Sequence, residues 1–486
     1  MQLPLGHRRN ATHDVDRRDA QIPESTRDVD PELKLPKMAS LVIVIAANVL
    51  LQISFFIIVS SSNEYALHLG GTSTFSGIVI GIPTLFSGLA LVPLSKLDGG
   101  GYKIPLHISC GASILGHVLY ALAYRTNYLY LILIGRIVSG FAFTFWMYCK
   151  RYCSDPRIVG VRRRTTLASW LVMGQGLGMS LGPFAGGLLY KVGFSNSVFN
   201  GFTSPAWIMA GVWCAFWVAV TVWYEDIPMH QRSFDPPSND IPLTRLPTLP
   251  ADKKSPSSIT VTAVSQTPPP TQPSPPPPPP PSPPPHKITP HQWGVIVCMC
   301  WFAMTCFFIL GAWESNLPVF GASTPPFHWS PFAAGNFIAL GGITTFPFLI
   351  LNLLLARRTQ DRQILASGSG LGLIGLLIFA ALLRTGGGAL NYGSVFVCWW
   401  AVALGFNLAS TVTISTLSKQ LPPTWNGRTS LAIQYSNYAG RVTGAIWGGS
   451  GVKVGMLKYV GLEIALVGIG AVLFVGLWRE LKTKKG

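Results

Sequence analysis

Residues 164–193 read RTTLASWLVMGQGLGMSLGPFAGGLLYKVG, and residues 428–455 read RTSLAIQYSNYAGRVTGAIWGGSGVKVG. Both stretches begin with Arg-Thr-x-Leu-Ala and end with Gly-Gly, three further residues and Lys-Val-Gly. The beginnings are 264 positions apart and the ends 262, so a two-residue gap in the middle aligns them. Agreement at both ends of two long apolar stretches indicates that the chain is built from two similar halves.

The composition is that of a membrane protein. Of 486 residues, 49% are hydrophobic and only 11% are charged, whereas a soluble domain carries about 25% charged residues. The net charge is +17, but the Lys and Arg residues cluster at the ends of apolar runs and form no interleaved basic face, which argues against a nucleic-acid partner.

The cysteines and histidines offer no metal site. The eight Cys lie in or beside apolar runs, and we expect them to be small buried hydrophobic residues. Cys298 and Cys300 would point about 200° apart on a helix, and His107 and His117 would lie about 15 Å apart along one, so neither pair could share an ion. We expect no metal and no cofactor.

Twelve apolar runs are long enough to cross a bilayer, which takes about 20 residues. Six precede a long interruption and six follow it: 39–62, 74–96, 104–124, 128–149, 165–190, 203–224, 292–314, 330–355, 363–384, 391–417, 428–452 and 457–478. These runs predict an all-α membrane protein with the lipid bilayer as its surroundings.

The basic residues set the orientation. With both termini in the cytoplasm, the short cytoplasmic loops hold 13 Lys and Arg: Lys96, Lys103, Lys150, Arg151, Arg157, Arg162, Arg163, Arg164, Arg357, Arg358, Arg362, Lys419 and Arg428. The opposite loops hold 5: Arg125, Lys191, Arg384, Lys453 and Lys458. This bias follows the positive-inside rule and supports twelve spans.

The polar segments predict the domain boundaries. Residues 1–38 are charged and are expected to be a disordered cytoplasmic tail, and 481–486 a second, short one. Residues 227–290 are rich in Pro and Ser, with a polyproline tract at 275–281, and are expected to be a disordered cytoplasmic linker. An SH3-type or WW-type partner for this linker is an alternative to a simple spacer. The six-helix bundles are then 39–226 and 291–480.

Two motifs resemble signatures of the major facilitator superfamily. The fifth span resembles its glycine-proline motif through Gly178, Gly182, Pro183, Gly186 and Gly187, which would serve close helix packing and gating. The fourth span resembles its Arg-bearing motif through Gly135, Arg136 and Gly140. The resemblance implies the major facilitator fold, with twelve transmembrane helices in two six-helix bundles and a solute site near the midplane.

Several short stretches narrow the resemblance. KRYCSD at 150–155, TSPAWIM at 203–209 and AGRV at 439–442 are similar to the SPX-MFS vacuolar phosphate transporters. WES at 313–315 resembles the lysosomal major facilitator protein linked to neuronal ceroid lipofuscinosis. Residues 1–38 are too short for an SPX domain, which weakens the transfer of phosphate as the substrate.

Two arginines lie deep within predicted spans. Arg441 is about 20 Å into the eleventh span and Arg136 about 12 Å into the fourth, at 1.5 Å per residue. An unpaired charge there costs several kcal/mol. Arg441 therefore either binds an anionic substrate or joins helices through carbonyl oxygens, whereas Arg136 either binds substrate or has a structural or coupling role, as arginines at this position of the superfamily do. We predict that Arg441 and Arg136 bind substrate, and that Lys150 and Arg151 collect anions at the cytoplasmic entrance or anchor the span.

Other polar groups complete the predicted site. Asn48 and Gln52 lie one turn apart on the first span, and with Asn407 on the tenth they would either supply uncharged donors to the substrate or hold helices together. Glu314, near the luminal end of the seventh span, would carry a coupling proton or neutralise an arginine. Glu463, near the luminal end of the twelfth, is expected to be interfacial.

The sequence favours a secondary active transporter of a small, anionic, phosphate-like solute that works by alternating access. No P-loop, His-Glu-x-x-His or nucleophile elbow is present, so we expect no enzymatic activity. The alternatives are a channel-like anion conductor of endolysosomal membranes and a non-transporting sensor or scaffold. We expect a monomer in the vacuolar or endolysosomal membrane, with the plasma membrane as the alternative, and a coupled proton as a second partner.

Overall fold

The computed structural model describes residues 33–155, 157–226, 288–325, 327–355, 359–385, 387–422 and 425–482. Nearly all of the predicted tail at 1–38 and linker at 227–290, and residues 483–486, lie outside the described residues. So do the polyproline tract and any SH3-type or WW-type ligand in it.

The described residues form α-helices joined by short turns. In chain order the helices are α1 Met38–Phe56, α2 Ser62–His68, α3 Ser73–Leu97, α4 Lys103–Thr126, α5 Leu129–Phe143, α6 Phe145–Ser154, α7 Val161–Val192, α8 Ser204–Trp223, α9 Pro290–Ser323, α10 Pro331–Leu355, α11 Asp361–Thr385, α12 Tyr392–Gln420, α13 Asn426–Val454 and α14 Met456–Gly476. One short 3₁₀ turn covers Gly387–Ala389. The fold is all-α, as predicted.

Within the described residues, ten helical segments are long and apolar enough to cross a membrane, judged by length and composition. Helices α5 and α6 together make one of them. Helices α7 and α13 occupy the positions of the predicted fifth and eleventh spans, with 32 and 29 residues. Both are rich in glycine and polar side chains, including Gln175, Gln434 and Asn437, which lowers their hydropathy below that of the others. These are the two stretches of the internal repeat.

Several helices are longer than the apolar runs that predicted them. Helix α9 continues through Pro318 to Ser323, nine residues beyond the predicted end at position 314. Glu314 therefore does not lie at the end of its helix, because about 14 Å of helix follows it at 1.5 Å per residue. The expectation that Glu314 lies near the luminal end of the seventh span is wrong for this reason.

The chain divides into two compact units. The first comprises the described residues up to Asp226 together with Glu314–Leu353, and the second comprises the described residues from 288 to Trp313 together with those from Leu354 onward. The division passes through α9 between Trp313 and Glu314. The assignment of 39–226 and 291–480 to two bundles stays a prediction.

Glycine pairs bring helices close together at the same place in each half of the sequence. In the first unit, α4 and α5 pack closely, and a Cβ at Gly135 would lie 2.7 Å from the Gly116 carbonyl oxygen. In the second unit, α11 and α12 do the same, with a Cβ at Gly368 placed 2.7 Å from the Gly405 carbonyl oxygen. These are the third and fourth spans of each half. Only glycine permits such an approach.

Ion pairs in the loops predicted to be cytoplasmic follow the same repeat. Asp98, after α3, accepts from Arg151 Nη1 at the end of α6 (3.1 Å). Asp361, at the start of α11, accepts from Lys419 Nζ near the end of α12 (3.0 Å). In both halves an acid between the second and third spans therefore holds a cation from the end of the fourth.

Candidate functional site

Arg136 lies inside the first unit, on α5, with 2% of its surface exposed. Its Nε donates to the Val79 carbonyl oxygen of α3 (3.2 Å). The guanidinium carbon lies 5.5 Å from the centre of the Phe55 ring and 5.7 Å from that of Phe143. Arg136 Nη2 forms no hydrogen bond with the described residues. The cation is therefore held mainly by aromatic faces and one carbonyl.

Two side chains of α4 lie within electrostatic reach of this arginine. His117 is 3% exposed and its Nδ1 contacts the Ser113 carbonyl oxygen (2.7 Å), while Tyr120 is 2% exposed. His117 Nε2 and the Tyr120 hydroxyl form no hydrogen bond with the described part of the chain. His117 was considered from the sequence only as a possible metal ligand, and nothing in the sequence pointed to Tyr120, because only folding brings α4 against α5.

Asn48 and Gln52 both face α7. Asn48 is 1% exposed and its Nδ2 donates to the Leu171 carbonyl oxygen (3.0 Å). A Cβ at Gly174 would lie 3.0 Å from Asn48 Nδ2, and one at Gly178 would collide with Gln52. The structure thus brings these two amides to the glycine face of the repeated helix, with Asn48 joining α1 to α7.

The remaining glycines of the predicted motif also line close contacts of α7. A Cβ at Gly182 would lie 2.6 Å from Phe56 Cβ, and one at Gly186 would collide with the Ile57 carbonyl oxygen. On another side, a Cβ at Gly187 would lie 2.9 Å from the Pro331 carbonyl oxygen at the start of α10. Pro183 is buried inside α7. Helix α7 therefore has glycine on its contacts with both α1 and α10 in the first unit.

Arg441 lies in the second unit, on α13, with 8% of its surface exposed. The glycines on either side of it let α13 approach α9: a Cβ at Gly440 or at Gly444 would collide with the Met304 or Phe308 carbonyl oxygen. From the opposite helix, a Cβ at Gly311 would lie 3.0 Å from the Arg441 carbonyl oxygen. The backbone around Arg441 is thus fixed against α9.

Asn407 and Glu314 complete the predicted set. Asn407 on α12 is half-buried, and its Nδ2 donates to the Ala403 carbonyl oxygen of its own helix (2.7 Å). Glu314 on α9 is 1% exposed. An acid that the sequence did not assign to the site is also fully buried: Glu463 on α14 has none of its surface exposed. The expectation that Glu463 is interfacial is therefore wrong.

At the predicted cytoplasmic entrance, Lys150 is exposed, and Arg151 is half-exposed and bound to Asp98. Asp98 also accepts from the Tyr148 hydroxyl (2.8 Å) and from Gly100 N (2.6 Å). Of the two predicted entrance cations, Arg151 thus has a carboxylate partner that joins the α3–α4 loop to α6.

A second acid, Asp155, lies beside this loop. Asp155 accepts from the Tyr102 hydroxyl (2.7 Å) and from Arg157 Nη2 (2.5 Å). Burial alone would raise the pKa of Asp155, but the hydrogen bonds from Arg157 and Tyr102 outweigh it and hold this pKa below its usual value. Burial, and then the hydrogen bond to Asp155, raise the pKa of Tyr102 well above its usual range. Asp155 is therefore ionised at neutral pH.

Among the described residues, no group of three or more His, Cys, Asp or Glu side chains is arranged to hold a metal ion. Six of the eight cysteines are buried, whereas Cys300 is half-buried and Cys214 is exposed on α8. The expectation of burial therefore fails for Cys214.

Comparison with solved structures supports the fold. A POT family transporter in complex with 5-aminolevulinic acid superposes with a TM-score of 0.64 at 11% identity, covering 91% of this chain and 96% of the other. A peptide transporter POT in complex with sulfate superposes with a TM-score of 0.61 at 15% identity, covering 92% and 96%. At such low identity these likenesses concern the fold alone.

Sequence relatives cover nearly the whole chain. The uncharacterized MFS-type transporter C613.02 of Schizosaccharomyces pombe is 28% identical over 469 residues, which is 94% of this chain and 85% of the relative. An SPX domain-containing membrane protein of Oryza sativa subsp. indica is 29% identical over 355 residues, or 69% of this chain and 49% of the relative. The chain thus matches about half of that SPX protein.

The sequence model of the Major Facilitator Superfamily matches residues 43–445, which include nearly all of the helical spans and both buried arginines. Together with the all-α architecture and the superposed transporters, this match identifies the chain: it is an integral, multi-pass membrane protein that belongs to the Major Facilitator Superfamily.

Proposed function

We propose that this protein is a secondary active transporter of a small anionic solute, with phosphate-like anions favoured, working by alternating access. The observation that carries the proposal is Arg441, a guanidinium with 8% exposure on α13, deep within a predicted span. Such a cation is retained inside a membrane protein at a cost of several kcal/mol, and intramembrane cations mark substrate and ion pathways.

The chemistry of the guanidinium supports an anionic substrate. Its planar, permanently charged fork donates in pairs to the oxygens of phosphate or carboxylate. We propose that Arg441 and Arg136 supply the cationic contacts and that Asn407, Asn48 and Gln52 supply neutral donors. Helices α7 and α13, with their glycine-lined contacts, would allow the movements that open the site to each side in turn.

Glu314 is the proposed coupling residue. It is a carboxyl with 1% exposure on α9, and a carboxyl in such surroundings can take up a proton when charge is unfavourable there. A proton bound with the anion would reduce the net charge that crosses the membrane. The neutralisation of an arginine is the alternative role for Glu314.

The proposed location is the vacuolar or endolysosomal membrane, with the plasma membrane as the alternative. Similarity to SPX domain-containing membrane proteins over the membrane-spanning part supports the choice of phosphate-like anions for the first trials. We propose that the protein acts as a monomer.

The experiment is uptake into proteoliposomes that contain the purified full chain, with phosphate, sulfate, a small carboxylate and a neutral sugar as trial solutes. Arg441→Gln removes the charge and keeps an amide donor, and Arg441→Lys keeps the charge without the fork. Arg384→Gln, at an exposed position near the end of α11, is the matched control. We expect anion uptake by wild type and control, weaker uptake by the lysine variant and none by the glutamine variant.

The proposal would be overturned by equal uptake in Arg441→Gln and wild type, or by uptake of the neutral solute alone.

Turnover separates a carrier from a channel: currents far above about 10³ ions per second would exclude a cycle limited by domain motions on microsecond-to-millisecond timescales.

A further inference from the structure

Glu463 is a carboxylic acid that the predicted mechanism does not use. It lies on α14 with none of its surface exposed. Its Oε2 accepts a hydrogen bond from Trp313 Nε1 on α9 (3.0 Å), and this contact joins positions 150 apart in the sequence. Its Oε1 forms no hydrogen bond with the described residues. One carboxyl oxygen of Glu463 thus has a hydrogen-bond donor among the described residues, and the other has none.

The surroundings of this carboxyl are aromatic. The Trp313 ring stacks on Trp399 (centroids 6.0 Å apart, planes at 14°) and lies 4.9 Å from the Phe379 ring. Tyr459, one turn before Glu463 on α14, is 1% exposed. The indole that donates to Glu463 is therefore itself packed against rings of α11 and α12, and Tyr459 adds a ring on α14.

No cation accompanies Glu463 among the described residues. The ion pairs of this part of the chain do not include it. The titratable group that acts on it is Tyr459, on its own helix. The side chain that contacts it from α9 is Trp313, which does not titrate and which packs against Phe379 of α11 and Trp399 of α12. The Tyr459 hydroxyl lies near the carboxyl without forming a hydrogen bond of good geometry.

The Tyr459 hydroxyl can serve either protonation state of Glu463 after a small rotation. A carboxylate without a cation in an apolar interior carries a large desolvation cost, which a hydrogen bond donated by the Tyr459 hydroxyl would reduce. A neutral acid would instead donate its own O–H to the Tyr459 hydroxyl oxygen, because the Trp313 indole only donates. The balance between the two forms can therefore change with a small movement of Tyr459 or Trp313, as a site that binds and releases a proton requires.

We propose that Glu463 is a second protonation site, which binds and releases a proton in each transport cycle. The inference rests on the proposed transport function. On release, the Glu463 O–H bond breaks and the proton passes to water, and the carboxylate left behind accepts from Trp313 Nε1 and from a reoriented Tyr459 hydroxyl. On binding, a proton from water re-forms the O–H bond. Trp313 directly precedes Glu314 in α9. Helix α9 therefore carries both the hydrogen-bond donor to Glu463 and the proposed coupling acid.

The test compares two transport modes in proteoliposomes that contain the full chain. Glu463→Gln is close in size and permanently neutral. Glu64→Gln is the matched control, because Glu64 also accepts from an aromatic side chain, the Tyr190 hydroxyl (2.6 Å), but is only half-buried. We expect Glu463→Gln to keep exchange of labelled for unlabelled anion and to lose accumulation driven by a proton gradient. The control should keep both.

Wild-type behaviour of Glu463→Gln in both modes would overturn the proposal. If the wild-type protein exchanges no anion, the proposed transport function is contradicted instead. The protonation of Glu463 would then be measured by infrared spectroscopy of the protein in lipid. We expect the carbonyl band of a neutral acid to appear in acidic buffer, to vanish in alkaline buffer and to be missing from Glu463→Gln.

A band that persists at every pH would show a permanently neutral, structural acid and would overturn the proposal. If Glu463→Gln does not fold, Glu463→Asp, which keeps the acid on a shorter chain, replaces it. The aspartate variant should retain proton-driven accumulation with a shifted pH dependence, and an unchanged pH dependence would count against the site.

Discussion

The replacement of Gly182 by Ala tests the packing of the repeated helix. An alanine Cβ at this position of α7 would lie 2.6 Å from Phe56 Cβ and 3.1 Å from the Ile57 nitrogen. Carbon atoms in good contact are about 3.5–4.0 Å apart. Helices α1 and α7 would therefore have to separate by about 1 Å where α1 ends.

Two opposing effects set the magnitude. Overpacking of this kind costs about 1–3 kcal/mol, whereas Ala in place of Gly inside a helix contributes about 1 kcal/mol in favour of folding. Gly211 on α8 isolates the second effect, because a Cβ there would meet nothing within 4 Å. Gly182→Ala should therefore be less stable than Gly211→Ala by about 1–3 kcal/mol.

The assay is thermal unfolding of the purified variants in one detergent, followed by intrinsic tryptophan fluorescence. We expect Gly211→Ala to unfold at or slightly above the wild-type temperature and Gly182→Ala several degrees lower, at about 2–4 °C per kcal/mol for a domain of this size. Equal midpoints for the two alanine variants would refute the close approach of α1 and α7.

Two further changes test individual contacts. Asp155→Asn removes the partner of Arg157; because the pKa of Asp155 is lowered in the folded protein, its stabilisation is present at neutral pH and is lost as the pH falls through that lowered value. The variant should be about 1–3 kcal/mol less stable at neutral pH, with the difference closing in acid, and a constant difference at every pH would contradict this. Trp213→Phe removes the hydrogen bond from Nε1 to Ser54 Oγ (2.7 Å) between two fully buried groups. It should cost about 1–3 kcal/mol in the same unfolding assay, and Ser54→Ala should make the additional effect of Trp213→Phe smaller.

The membrane fold could be predicted from the sequence because its signals are local or periodic. The lengths of the apolar runs, the charges of the loops and the repeated ends of α7 and α13 can be recognised without knowing which residues are in contact. The ends of the helices were harder to predict. The apolar run stops at Glu314, but Asn316 and Pro318 continue α9 because they are enclosed by protein rather than exposed to lipid.

The candidate site could be predicted from the sequence only in part. The depth of Arg136 and Arg441 follows from their position along a span, and both are buried in the structure. Glu463 was misjudged because position along a span does not reveal which face of the helix meets other helices. Its partner Trp313 lies on α9, and no pattern in one sequence connects these two positions.

The central claim is that Arg441 binds an anion, and binding of phosphate or sulfate to the purified protein tests it most directly. An anion that binds only the folded state should raise the free energy of unfolding by about 2.7 kcal/mol at a concentration of 100 Kd. The wild-type protein and Arg384→Gln should show this stabilisation, whereas Arg441→Gln should show none at the same anion concentration. Equal stabilisation of Arg441→Gln and the wild-type protein would contradict the account.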